Sequence, residues 1–167
     1  MFTKIEDFKK TYGQEIKFTE AVLDALTDES LSQAINEDHR TLGRMAWHTV
    51  TTLPEMMGQV GLEFSGVAKD DPVPATAAEI KSAYSAAANA ILDQVTTKWT
   101  DETLAQEDNM YGETWKRGQT LLVLAMHEVH HRGQMTVLMR QAGVKVPDIY
   151  GPAKEGWTAY GAEPPKI

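Results

Sequence analysis

Apolar side chains recur every three or four positions in four stretches of this chain, and no stretch offers a convincing strand pattern. Over residues 3–26, Ile5, Phe8, Tyr12, Ile16, Leu23 and Leu26 fall on one helical face. "TDES" at 27–30 supplies capping and turn chemistry, and a short apolar patch (Leu31, Ala34, Ile35) precedes "NEDHR". A second helix is predicted over 41–59, "TLGRMAWHTVTTLPEMMGQ". Pro54 lacks an N–H and clashes with the preceding turn, so a kink or break near Leu53 is expected; "TLPE" offers Thr52 as the N-cap and Glu55 as the capping-box partner of a restarted helix. Residues 61–74, rich in Gly, Asp and Pro, read as a long loop.

Thr76-Ala77-Ala78-Glu79 is a capping-box pattern that opens a third helix carrying Ile80, Tyr84, Ala87, Ile91, Val95 and Trp99. "TDETLAQEDNMYGET" is polar and unpatterned. The fourth helix, "WKRGQTLLVLAMHEVHHRGQMTVLMRQAG", stops at Gly143, the residue type that best tolerates a left-handed C-terminal turn. From Val144 to Ile167 the chain alternates Pro, Gly and aromatics and reads as an ordered tail packing Tyr150, Trp157 and Tyr160 on the helices. The prediction is an all-α four-helix bundle, one domain over 1–167, with an irregular C-terminal tail.

Composition narrows the function. A length of 167 residues suffices for one full core, and 42% hydrophobic with 24% charged residues suits a water-soluble globule. No run of about 18 apolar residues exists to span a bilayer, and "MFTKIEDFKK" has no apolar core of a signal peptide, so a cytoplasmic protein without membrane partners is expected. The net charge of −8 comes without a Lys/Arg cluster, which argues against nucleic-acid binding. The chain has no cysteine. Disulfides, protein thiolates and cysteine zinc sites are thereby excluded, and a transition metal would have to be held by His and carboxylates.

Histidines then carry the candidate chemistry. "AMHEVHHRGQM" at 125–135 holds three of the five. On a helical wheel referenced to His127, His131 lies at about +40°, with Leu138, Leu124, Ala142 and Met135 between about +20° and +80°. His127 and His131 therefore point inward, and His130, near −60°, marks the edge or surface. Histidines at i and i+4 place two imidazole nitrogens on one ion, although such a pair alone is common. His48 sits on the apolar stripe of the second helix with Met45, Thr52 and Met56, and completes a three-His set with an open fourth position. His39 lies in a polar setting and is expected at the surface. Gln134 and Glu55, each near −20° on its wheel, are candidates to support the ligands from behind. Glu128, near +100°, is expected on the flank rather than as a base. "HEVHH" also matches the HExxH protease motif literally, but that chemistry needs a further ligand and a strand-bounded cleft that the pattern does not offer.

His48 in "AWHTV", His127, His131, Arg132, Gly133 and Gln134 in the HxxxHRGQ run, and the continuation "LMRQAGVKVP" together resemble the DinB/YfiT-like metal-binding four-helix bundles. The tail "DIYGPAKEGWTAYGAEPP" is similar to the end of such proteins, so the resemblance covers nearly the whole chain. It implies an up-down-down-up bundle, a divalent metal such as zinc or nickel on His48, His127 and His131, and often a homodimer. It also implies a small-molecule substrate, with activities that range from S-transfer using a low-molecular-weight thiol to metal-dependent hydrolysis by metal-bound water. The remaining alternatives are a bundle that binds metal without catalysis and a plain helical interaction domain whose buried histidines hold no metal.

Overall fold

The structure, a computed structural model, describes residues 1–65 and 67–166. Four helices dominate: α1 (Ile5–Asp24), α2 (Leu42–Gly58), α3 (Ala77–Lys98) and α4 (Arg117–Gln141). Short 3-10 turns occupy Glu29–Ser32, Thr103–Ala105 and Trp157–Tyr160. Each helix packs on two neighbours, α1 and α2 both contacting α3 and α4, so α1 lies diagonally across from α2. Side-chain pairs give the directions. Asp24–Lys81 and Glu20–Ser85 run α1 against α3, whereas Tyr12–Glu128 and Glu15–Arg132 run α1 along α4. Met45 shares a cleft with Leu138 while His48 faces His131 and His127, which sets α2 against α4. The bundle is up-down-down-up.

Local chemistry sets the helix ends. The Thr41 hydroxyl accepts the Arg44 N–H at 3.1 Å and opens α2. Thr76 and Glu79 form the reciprocal capping box that opens α3. After α4, Gly143 takes φ +73°, and the Gly143 and Val144 amides bond back to the carbonyls of Arg140 and Met139, a Schellman closure. Phe8, Tyr12, Leu42, Leu53, Met57, Ile80, Tyr84, Leu121 and Leu124 are fully buried between the helices. Each such side chain contributes on the order of 1.5–3 kcal/mol relative to exposure.

Three expectations are corrected. Pro54 does not break α2, which runs unbroken through it. Leu53, Met56 and Met57 are buried on either side, and continuing the helix buries all three against a proline cost of about 3 kcal/mol. Thr52 is no N-cap, since its hydroxyl donates to the His48 carbonyl at 2.8 Å. The polar connection before α4 contains an antiparallel hairpin, β1 (Glu107–Met110) with β2 (Glu113–Lys116). Its two-residue tip, Tyr111 and Gly112, has φ of 57° and 88°, the paired positive values of a type I′ turn. Buried Met110 anchors the hairpin, and Arg117 clamps Asp108 through two bonds of 2.9 and 3.1 Å. Finally, the tail is anchored by Val146 and by Tyr150, whose hydroxyl bonds Glu15 and whose ring meets Phe18 of α1 edge-on at 5.1 Å; Trp157 is half-buried, and the Tyr160 ring is left off the helices at 63% exposure. Gly66 in the long loop and Ile167 at the tail's end lie outside the described residues.

At the start of α4, a Cβ on Gly118 would sit 1.9 Å from the carbonyl oxygen of Phe2, the residue whose amide donates to the Gly118 carbonyl at 3.0 Å. Gly118→Ala is expected to destabilise the protein by about 1–3 kcal/mol. Gly133→Ala, at an exposed mid-helix site with nothing within 4 Å, should instead stabilise it by about 1 kcal/mol. Thermal unfolding of the two variants would check the opposite signs.

Candidate metal centre

His48 on α2 and His127 and His131 on α4 converge across the antiparallel helix pair, each offering a ring nitrogen within 4.8 Å of the others. Ring centroids are 5.2 Å apart for His48–His127, 4.7 Å for His48–His131 and 4.4 Å for His127–His131. The Nε2 atoms of His127 and His131 approach to 3.1 Å. Two imidazole nitrogens bound to one tetrahedral zinc lie about 3.3 Å apart, so the spacing fits a shared ion. Gln134 Oε1 lies 2.7 Å from His131 Nδ1; accepting that N–H leaves the His131 Nε2 lone pair facing the shared point. His127 Nδ1 is buried without a hydrogen-bond partner among the described residues.

Electrostatics keep these rings neutral. Burial pushes His48 down to about 4, helped by the Arg40 guanidinium, the other two histidines and Arg44. His127 is likewise lowered to about 4, by burial first and then by His131, His130 and Arg40. His131 is lowered by burial against the opposing effect of Gln134. Neutral imidazoles at physiological pH are what metal ligation requires. His130 and His39 are exposed, and neither belongs to the cluster.

The other two sequence candidates differ in setting. Gln134 bonds His131, whereas Glu55 hydrogen-bonds no histidine among the described residues: it accepts the Tyr111 hydroxyl at 2.8 Å and the Gln59 amide at 3.2 Å. Burial and this bond push the Tyr111 hydroxyl up to about 12. Glu55 thus ties the hairpin tip to α2 at the rim of a cleft of about 320 Å³ that also contains Arg40, Arg44, His48 and Lys69. Arg44 stands one turn before His48, an i, i+4 relation that would have placed it beside the ligand from sequence. A second cleft, about 440 Å³ and largely apolar, opens at Met45, Gln134, Val137 and Leu138. A further cleft of similar volume between α2 and α3, near Pro54 and Ala87, holds no histidine.

Glu128 is the main correction. It is fully buried, not on a flank, and accepts hydrogen bonds from Tyr84 at 2.5 Å, Tyr12 at 2.9 Å and Thr19 at 3.5 Å. One turn on, buried Arg132 donates to Glu15 Oε2 at 2.5 Å and to Thr19 at 2.9 Å. The two residues face α1 and α3, about 100° around α4 from the histidines. The wheel assumed an apolar core on one side of α4, but the helix is packed on two.

The DinB family model matches residues 1–166. Among similar proteins, an uncharacterized Bacillus subtilis (strain 168) protein, YrdA, is 46% identical over 167 residues, covering all of both chains. The crystal structure of a DinB-like protein from Bacillus cereus ATCC 10987 superposes with a TM-score of 0.86 at 44% identity, over 90% of this chain and 100% of that one. A second DinB-like protein, YjoA from B. subtilis, shares the fold at a TM-score of 0.66 and 13% identity, over 87% and 99%.

Desolvation raises Glu128 to about 7 against the lowering effect of its Tyr84 and Tyr12 hydrogen bonds. As pH rises from about 4.5 to 7, the unfolded chain therefore ionises this residue before the folded one does, and Glu128 subtracts stability across that window. Glu128→Gln should remove this loss. Relative to the parent protein, the variant is expected to gain up to about 3 kcal/mol between pH 4.5 and pH 7.5, read by denaturant unfolding at both pH values; a constant difference would contradict the assignment.

Proposed function

The chain belongs to the DinB family, and on that premise we propose that it is a divalent-metal-dependent enzyme that activates a low-molecular-weight thiol for S-transfer to an electrophile. The observation that carries this reading is the convergence of three neutral imidazoles from two antiparallel helices beside an open cleft. Zinc and nickel both suit an all-imidazole donor set. With three protein ligands, a bound ion keeps a position for an external ligand and favours ionisation of a thiol there near neutral pH.

The chain's own residues supply the rest. His48, His127 and His131 would hold the ion, and the Gln134 bond to His131 Nδ1 supports the His131 ring orientation that ligation needs. Thr51 and Thr52 hydroxyls bond the His48 carbonyl at 3.3 and 2.8 Å and brace that turn of α2. Because the chain has no cysteine, the thiol comes from outside, and no protein thiol competes for the ion or the electrophile.

Protein purified without a His-tag is expected to hold about one zinc or nickel ion per chain, with affinity falling by 100-fold or more in His131→Ala. A folded His48→Ala protein should lose thiol-dependent consumption of a chloro-dinitrobenzene electrophile. Metal at full occupancy with no turnover for any thiol would leave a non-enzymatic metal-binding bundle. Ester cleavage without thiol would point to hydrolysis instead.

A further inference from the structure

The cleft beside His48 carries more positive charge than the rest of the protein. Arg40, Arg44 and Lys69 line it, against two carboxylates, Glu55 and Asp70, in a chain whose net charge is −8. Glu55 is already engaged by Tyr111 and Gln59. None of the three cations has a salt-bridge partner within 4.0 Å among the described residues. Arg44 Nη1 is also buried without a hydrogen bond among the described residues. A guanidinium nitrogen withdrawn from water and left unpaired costs free energy that a bound anion would recover.

We propose that this cleft is an anion subsite in which Arg44, with Arg40 and Lys69, binds the carboxylate of the small molecule whose other end reaches His48, His127 and His131. The inference deepens the reading of the three histidines as a metal site for thiols and rests on it for the identity of that other end. A guanidinium fork matches a carboxylate in two parallel hydrogen bonds. The volume of about 320 Å³ suits a compact ligand. His48 and Arg44 lie one helical turn apart on the same face of α2 and line the same cleft, so a molecule anchored on Arg44 is within reach of the His48 ring. The site therefore selects carboxylate-bearing thiols over neutral ones of the same length.

The test uses cobalt(II)-loaded protein, whose thiolate-to-cobalt absorption reports ligation without turnover, titrated with 3-mercaptopropionate and with 2-mercaptoethanol. The parent protein should saturate with 3-mercaptopropionate at a concentration about 10-fold lower. Arg44→Met should shrink that preference to about threefold or less, and leave the 2-mercaptoethanol curve in place. Lys69→Met, on an exposed loop, should weaken it in the same direction and serves if Arg44→Met does not fold. No preference in the parent, or one that survives in the variants because the carboxylate chelates the cobalt, would overturn the subsite while the thiol reading stands. If neither thiol perturbs the cobalt spectrum, the thiol reading fails. Calorimetry of propionate binding to the metal-free protein then decides the subsite alone: binding lost in Arg44→Met supports it, and no binding overturns it.

Discussion

Everything at the centre of this bundle depends on how α4 is rotated about its own axis, and burial of Glu128 and Arg132 fixes that rotation. Two charged side chains one turn apart are enclosed by Tyr12, Glu15, Thr19 and Tyr84 from α1 and α3. Rolling the helix away would leave a carboxyl or a guanidinium in the core with no partner, a penalty of several kcal/mol. The same setting turns His127 and His131, about 100° further round, onto His48. The polar network and the imidazole cluster are thus two readouts of one helix orientation. A weakly amphipathic α4 follows, because polar groups face inward along both of its buried sides.

Much of the fold was legible because its signals are local. Thr76 and Glu79 announce their helix through a cap that needs only four residues, and Gly143 ends another through a backbone angle few residues tolerate. The three histidines could be grouped from two wheels, since i, i+4 spacing and an apolar stripe are properties of single helices. What escaped was long-range. Glu128 is inward only because α1 carries a tyrosine at position 12 and α3 one at position 84, and no pattern within α4 records that. Pro54 marks a break by local rules alone, and the burial that outweighs it, at Leu53, Met56 and Met57, is tertiary. The hairpin was missed for a different reason: its strands are four residues long and polar, and the signal lay in the "YG" tip instead.

Charge is partitioned across the molecule in a way that its total hides. The rings at the candidate metal centre are held neutral by burial and by the arginines beside them, so protons compete weakly for their lone pairs. Those arginines also make one wall of the cleft at His48 cationic, while a separate and largely apolar cleft, at Met45, Val137 and Leu138, shares only Arg40 with it among the described residues.

The hairpin places a different kind of part beside this site. Its roots are clamped at Asp108 and Arg117, its one buried anchor is Met110, and its tip carries Tyr111 out to Glu55. The four helices would pack the same way whatever residue stood at the tip. The hairpin tip and the bundle's core are consequently separate segments, and the rim of the cleft can drift through changes of a few residues at the tip without the core having to change with it.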